Sequence, residues 1–188
     1  MMKTQIPLLQ HLPEPCWRYF NACELAEIPT PFRSFLSDPG SMTARLRQEN
    51  PSFGLQVLSE EFTNPTFSER TQLAMQEEES AFIRESVLYS DQSVWMYGRL
   101  VFPLATLTDK EQAFTALGNR PIGDVLFSDP RVKRGAFDFA NMKIKKDLYW
   151  IRRSIFFVEQ KKILLTEFFL PNVFQLGEAG KSKTQKSQ

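Results

Sequence analysis

Apolar residues at positions 163–170 run nearly unbroken and stop at Pro171. At a strand's period of two, Ile163, Leu165, Glu167 and Phe169 share one face, and Leu164, Thr166, Phe168 and Leu170 share the other. Both faces are apolar enough to be covered, so this strand belongs inside the protein. Glu167 is the exception. A carboxylate among aliphatic and aromatic neighbours is costly unless it is paired, hydrogen-bonded or protonated. It is therefore a functional group, half of a buried ion pair, or an edge-strand glutamate that reaches solvent.

The same patterning places further strands at 53–62, 81–89, 94–102, 137–144 and 148–158. Residues 90–93 suit a hairpin turn. The charged links around Lys145-Lys146-Asp147 and residues 159–162 are short, as in antiparallel pairs. Between strands the chain predicts short helices. Pro29 and Pro31 precede one at 32–36, which Asp38-Pro39-Gly40 ends. Ser41 is the N-cap of a second at 42–48. Thr108 and Glu111 form a capping box that opens a helix carrying Ala113, Phe114 and Leu117, with Gly118 at C′. Pro121 starts a last helix at 122–127. Residues 63–79 are polar and predict a solvated loop or surface helix. Residues 1–20 predict an irregular or briefly helical arm. The expected architecture is one α+β domain over 1–171, with about six antiparallel strands flanked by helices. Residues 172–188 form an extension, disordered from about 177.

Composition narrows the chemistry. The 188 residues carry a formal net charge of +1, so no global field recruits nucleic acid or an anionic membrane. No apolar run is long enough for a membrane-spanning helix, and the N-terminus lacks a secretory pattern; the cytoplasm is the expected location. Cys16 and Cys23 match no zinc spacing and are expected to be unpaired thiols. His11 is the one histidine, which argues against a metal site or a Ser-His-Asp machine. Aromatic residues are abundant, with 17 Phe, which favours strands and an aromatic core.

Two charges stand out on otherwise apolar strands, Arg84 and Glu167. Arg84 can grip a carboxylate through its planar fork, and Glu167 can accept from a hydroxyl. Together they fit a small ring that is anionic at one end and hydroxylated at the other. They could instead pair with each other, with no ligand between them. Arg152 and Arg153 point to opposite faces, so one of them can add a positive charge to a pocket. Gly98 allows close packing, and Arg99 is expected to pair with an acid.

The residues resemble the chorismate lyase family. The resemblance is carried by Ser41-Met42-Thr43, Ile83-Arg84-Glu85, Trp95 through Gly98-Arg99 to Pro103, Leu117-Gly118 through Pro121-Ile122-Gly123, Arg152-Arg153-Ser154, and Leu164 through Glu167 to Pro171. It covers roughly residues 30–171 and implies a monomeric α+β fold with two helix-turn-helix flaps over an internal ligand site. It implies conversion of chorismate to 4-hydroxybenzoate and pyruvate without metal or organic cofactor, at the start of ubiquinone synthesis. It also implies ligand contacts from Arg84 and Glu167, and from Met42 and Ile122 largely through their backbone amides. Ile122 is commonly Leu in that family. The alternative is a non-enzymatic binding module, since effector-sensing domains of some bacterial transcription regulators are similar in fold.

Overall fold

The computed structural model describes residues 13–90, 93–144 and 147–175. His11, the turn residues 91–92, the link residues 145–146 and the expected disordered tail lie outside the described residues. Six strands form one antiparallel sheet: β1 (Phe53–Thr63), β2 (Ala81–Ser90), β3 (Ser93–Pro103), β4 (Val132–Ile144), β5 (Asp147–Val158) and β6 (Lys161–Phe169). Their spatial order is β1-β2-β3-β6-β5-β4, which puts β6, the strand bearing Glu167, in the interior of the sheet.

Cross-strand register fixes what shares a face, because directly paired residues project to the same side. One row runs Val57, Ser86, Gly98, Glu167, Arg152, Phe139 across all six strands. The next row on that face runs Glu60, Arg84, Leu100, Leu165, Ser154, Phe137. The opposite face carries Glu85, Arg99, Thr166, Arg153 and Asp138 in register.

Helices α2 (Thr30–Leu36) and α3 (Met42–Glu49) cover the first face, packing Phe35, Leu36 and Leu46 on Leu88, Met96, Trp150 and Phe169. At its other end α5 (Ile122–Leu126) and a 3-10 helix (Asp109–Ala116) pack Leu126, Phe114 and Leu117 on Phe82, Leu100, Phe102 and Phe156. The opposite face is covered by α4 (Phe67–Leu73), which seats Leu73 beside Ile83, Val101 and Leu164. Residues 163–170 are thus covered on both sides, as their two apolar faces require.

Several local expectations are corrected. The polar stretch after β1 contains a helix, α4, as one of its two expected forms, capped by a reciprocal box between Thr66 and Glu69. Glu69 is buried rather than solvated: it and Glu85 hold the buried Arg99 guanidinium on the opposite face, at 2.8 and 2.6 Å. Thr108 makes no side-chain cap, and the segment after it winds as 3-10 rather than α. The reason is competition for Glu111, whose carboxylate meets Lys161 Nζ at 2.5 Å and Arg131 at 3.3 Å instead of folding back. Gly118 does take the left-handed conformation expected at C′, with φ +53°. Strand β4 begins at Val132, earlier than 137, with a bulge between Arg134 and Phe137. The arm is more ordered than expected, with α1 (Ala22–Glu27) capped by Asn21 and Glu24, and Arg18 bridged to Phe139 on β4. Packing also continues past Pro171: residues Pro171–Gln175 form a 3-10 turn that buries Val173 and Phe174. Cys16 and Cys23 are unpaired and exposed.

Candidate active site

The first face of the sheet does not meet its helices everywhere. Between the α2–α3 pair and the 3-10–α5 pair lies a cavity holding about 510 Å³ of space, part of it open to solvent. Its floor is Leu88, Met96, Gly98, Leu100 and Leu165, and its polar lining includes Arg84, Arg134, Ser86 and Glu167. A side chain at Gly98 would project over this floor, and its absence leaves room there. The first residues of α3 and α5, Met42 and Ile122, also line the cavity. The N–H of a helix's first residue has no carbonyl partner inside its own helix. All four residues expected at a ligand, Met42, Arg84, Ile122 and Glu167, therefore meet at one cavity.

The two helix pairs close over it from either side. Gly123 lies so near the first helix pair that a Cβ there would sit 2.7 Å from Ser41 Oγ, so any side chain at this position would displace the hydroxyl that caps α3. Arg47 on α3 and Asp124 on α5 join the two across their exposed surface, at 3.0 Å.

Arg84 and Glu167 are not paired with each other. Glu167 is buried and lies between two guanidiniums. Arg152 grips it with both ends of its fork, Nε at 2.6 Å and Nη2 at 3.1 Å, and Arg134 Nη2 donates at 2.8 Å. Burial pushes the Glu167 carboxyl up, but Arg152 and then Arg134 outweigh it and hold its pKa below the usual value. Glu167 is therefore a fixed carboxylate. Arg134 is lowered by burial and by Arg152 beside it, against the pull of Glu167. Arg84 is buried too. It donates to Glu60, its direct neighbour across β1–β2, and through Nη2 to the carbonyls of Gly118 at 2.6 Å and Arg120 at 3.1 Å.

Of the adjacent arginines, Arg152 is the one on the cavity's face, but it is absorbed by structure. Besides Glu167 it donates to the carbonyls of Phe35, Leu36 and Asp38, where α2 ends. Arg153 lies on the other face with Asp138 and Ser68. The extra cation on the cavity wall is Arg134, which the sequence reading passed over. Its signal is faint: Arg131, Lys133 and Arg134 stand close together before an apolar stretch and form no motif. The bulge after Arg134 and the wider β4 turn it inward.

Among the described residues, no group of three or more His, Cys, Asp or Glu side chains could hold a metal ion. No helix there is long and apolar enough to cross a membrane.

These features define a class: single-domain α+β proteins that enclose a small, charge-lined site between a six-stranded antiparallel sheet and paired helices. The chain belongs to the chorismate lyase family, whose profile matches residues 15–178. It is 30% identical over 165 residues to a probable chorismate pyruvate-lyase of Aromatoleum aromaticum, covering 79% of this chain and 89% of that protein. It is 34% identical over 156 residues to the chorismate pyruvate-lyase of Hamiltonella defensa, covering 82% and 85%. The fold alone is shared with the C-terminal domain of Yurk from Bacillus subtilis, at 14% identity, a TM-score of 0.50, and coverage of 62% of this chain and 90% of that one. The protein is a lyase of this family.

Proposed function

We propose that this lyase converts chorismate to 4-hydroxybenzoate and pyruvate, acting as a cytoplasmic monomer at the entry to ubiquinone synthesis. The observation that carries the reading is the arrangement of Arg84 and Glu167 on one cavity wall. They lie two strands and two residues apart, on paired rows of the same face. Strand spacing and rise put their backbones about 12 Å apart, so their side chains can meet opposite ends of one six-membered ring. The floor between them is apolar, as a ring face requires.

In this reading Arg84 and the Met42 and Ile122 amides receive the ring carboxylate, and Glu167 accepts from the ring hydroxyl. Arg134, in contact with Glu167, meets the second carboxylate, which hangs from the carbon next to the hydroxyl-bearing one. The reaction breaks the ether C–O bond and the C–H bond at the hydroxyl-bearing carbon, and forms the last ring double bond. The departing enolpyruvate takes up a proton and becomes pyruvate. Aromatisation drives the step from within the substrate, so the protein contributes orientation and charge placement. A carboxylate held anionic by two arginines is a poor proton acceptor. Glu167 therefore orients the hydroxyl, and its buried ion group stabilises charge developing on the departing enolpyruvate through Arg134.

The test is direct. Purified protein is incubated with chorismate, and 4-hydroxybenzoate and pyruvate are quantified together. Equimolar products above the uncatalysed rate support the reading. Binding without turnover would replace it with that of a ligand-binding module.

A further inference from the structure

The charged side chains that line the cavity, Arg84, Arg134 and Glu167, belong to two ion groups. Glu167, Arg134 and Arg152 are one. Arg84 and Glu60 are the other, and Glu60 has no place in the reaction as described. Its position is nevertheless specific. It lies on the edge strand β1, directly opposite Arg84, and its carboxylate takes the Arg84 guanidinium. The two partners differ sharply in exposure: the Arg84 side chain is 1% exposed and the Glu60 side chain 28%.

Glu60 is not needed to position Arg84. The carbonyls of Gly118 and Arg120 already fix that guanidinium to the segment between the 3-10 helix and α5. What the carbonyls cannot supply is a counter-charge, and a buried cation with none is costly. The ring carboxylate of a ligand supplies one. Arg84 thus has two candidate anions, one built in and one brought by the ligand. The built-in one is on a strand edge and can turn to water, while Arg84 cannot leave.

We propose that Glu60 is an internal competitor for the carboxylate subsite: it neutralises Arg84 in the empty site, yields to the ring carboxylate, and returns to expel the aromatic product. The inference rests on the chorismate lyase reading. Its consequence is a deliberate weakening of product affinity. A planar benzoate that fits an enclosed cavity leaves slowly, and flap opening adds to the delay. A carboxylate waiting at the cation lowers the affinity of every ligand carboxylate and shortens product residence.

The experiment compares wild type, Glu60→Gln and Glu61→Gln. Glu61 has the same charge one position away but pairs with Ile83 on the other face, so it controls for the general field. Binding of 4-hydroxybenzoate is measured by calorimetry beside that of its neutral amide, 4-hydroxybenzamide, and chorismate turnover is measured with and without added product. The expected result is that Glu60→Gln binds 4-hydroxybenzoate more tightly, by on the order of tenfold, with lower kcat and stronger product inhibition. Binding of the amide, and Glu61→Gln throughout, stay at wild-type values. If Glu60 only braced Arg84, the variant would bind 4-hydroxybenzoate more weakly, and weaker or unchanged binding overturns the proposal while wild-type turnover leaves the lyase reading standing. Wild-type protein that forms no product and binds no 4-hydroxybenzoate removes both.

Discussion

Arg134 and Glu167 come from strands on either side of β5 and meet at 2.8 Å on the cavity wall, with Arg152 completing a buried group of two cations and one anion. The same arginines tie the first flap to the sheet: Arg134 Nη1 donates to the Gly40 carbonyl at 3.2 Å, and Arg152 holds the end of α2. Arg84 does the corresponding work for the second flap through Gly118 and Arg120. Charges that face the cavity are therefore also the anchors of the helix pairs over it.

Replacing Glu167 with Gln leaves two buried guanidiniums short of a counter-charge. Breaking a buried pair costs about 3–5 kcal/mol, which chemical denaturation will show as a lower midpoint with an unchanged slope. Activity per folded molecule should fall as well, since in the proposed reaction the ring hydroxyl loses its charged acceptor.

The same carboxylate makes stability depend on acid. Its folded pKa lies below the reference value of 4.5. Its contribution is thus complete above that value and is lost as pH falls through the lower, folded one. Thermal midpoints measured from pH 6 downward should drop more steeply in wild type than in Glu167→Gln below about pH 4.5. Parallel curves would show that Glu167 is not held anionic.

Arg134 and Arg153 offer a contrast in specificity. Arg134→Gln leaves Glu167 bidentate on Arg152, so the fold persists, while in the proposed reaction the second substrate carboxylate loses its partner. KM for chorismate should rise about tenfold or more, and affinity for 4-hydroxybenzoate, which lacks that carboxylate, should change far less. Arg153→Gln, on the other face, should leave KM unchanged.

The Arg47–Asp124 pair joins the flaps at their exposed edge. Such pairs stabilise by about 1 kcal/mol or less and are screened by salt. Asp124→Asn should leave thermal stability nearly unchanged while raising the dissociation rate of 4-hydroxybenzoate in stopped-flow measurements. Added salt should raise that rate in wild type and have little effect in the variant.

On the opposite face, Glu69→Gln weakens both the Arg99 group and the α4 cap. Charged hydrogen bonds of this kind contribute about 1.5–3 kcal/mol each, so the thermal midpoint should fall by several degrees.

The sequence by itself determined the strands, their antiparallel order along the chain and the two short helix pairs, because period-two patterning, Pro and Gly stops and the Ser41 cap are local signals. It also marked Arg84 and Glu167, since charge inside an apolar strand is visible without coordinates, and the family segments added Met42 and Ile122. Only the tertiary structure decided the partners. Pairing is set by register across strands distant in sequence, which is why Glu60 rather than Glu167 meets Arg84, why Arg152 is spent on α2, and why Arg134 reaches the cavity. Glu111 shows the same limit from the other side: its local pattern specified a cap, but Lys161, 50 residues away, offered the stronger partner. Local sequence fixes where a charge sits on its own strand; the folded sheet fixes which opposite charge lies within reach.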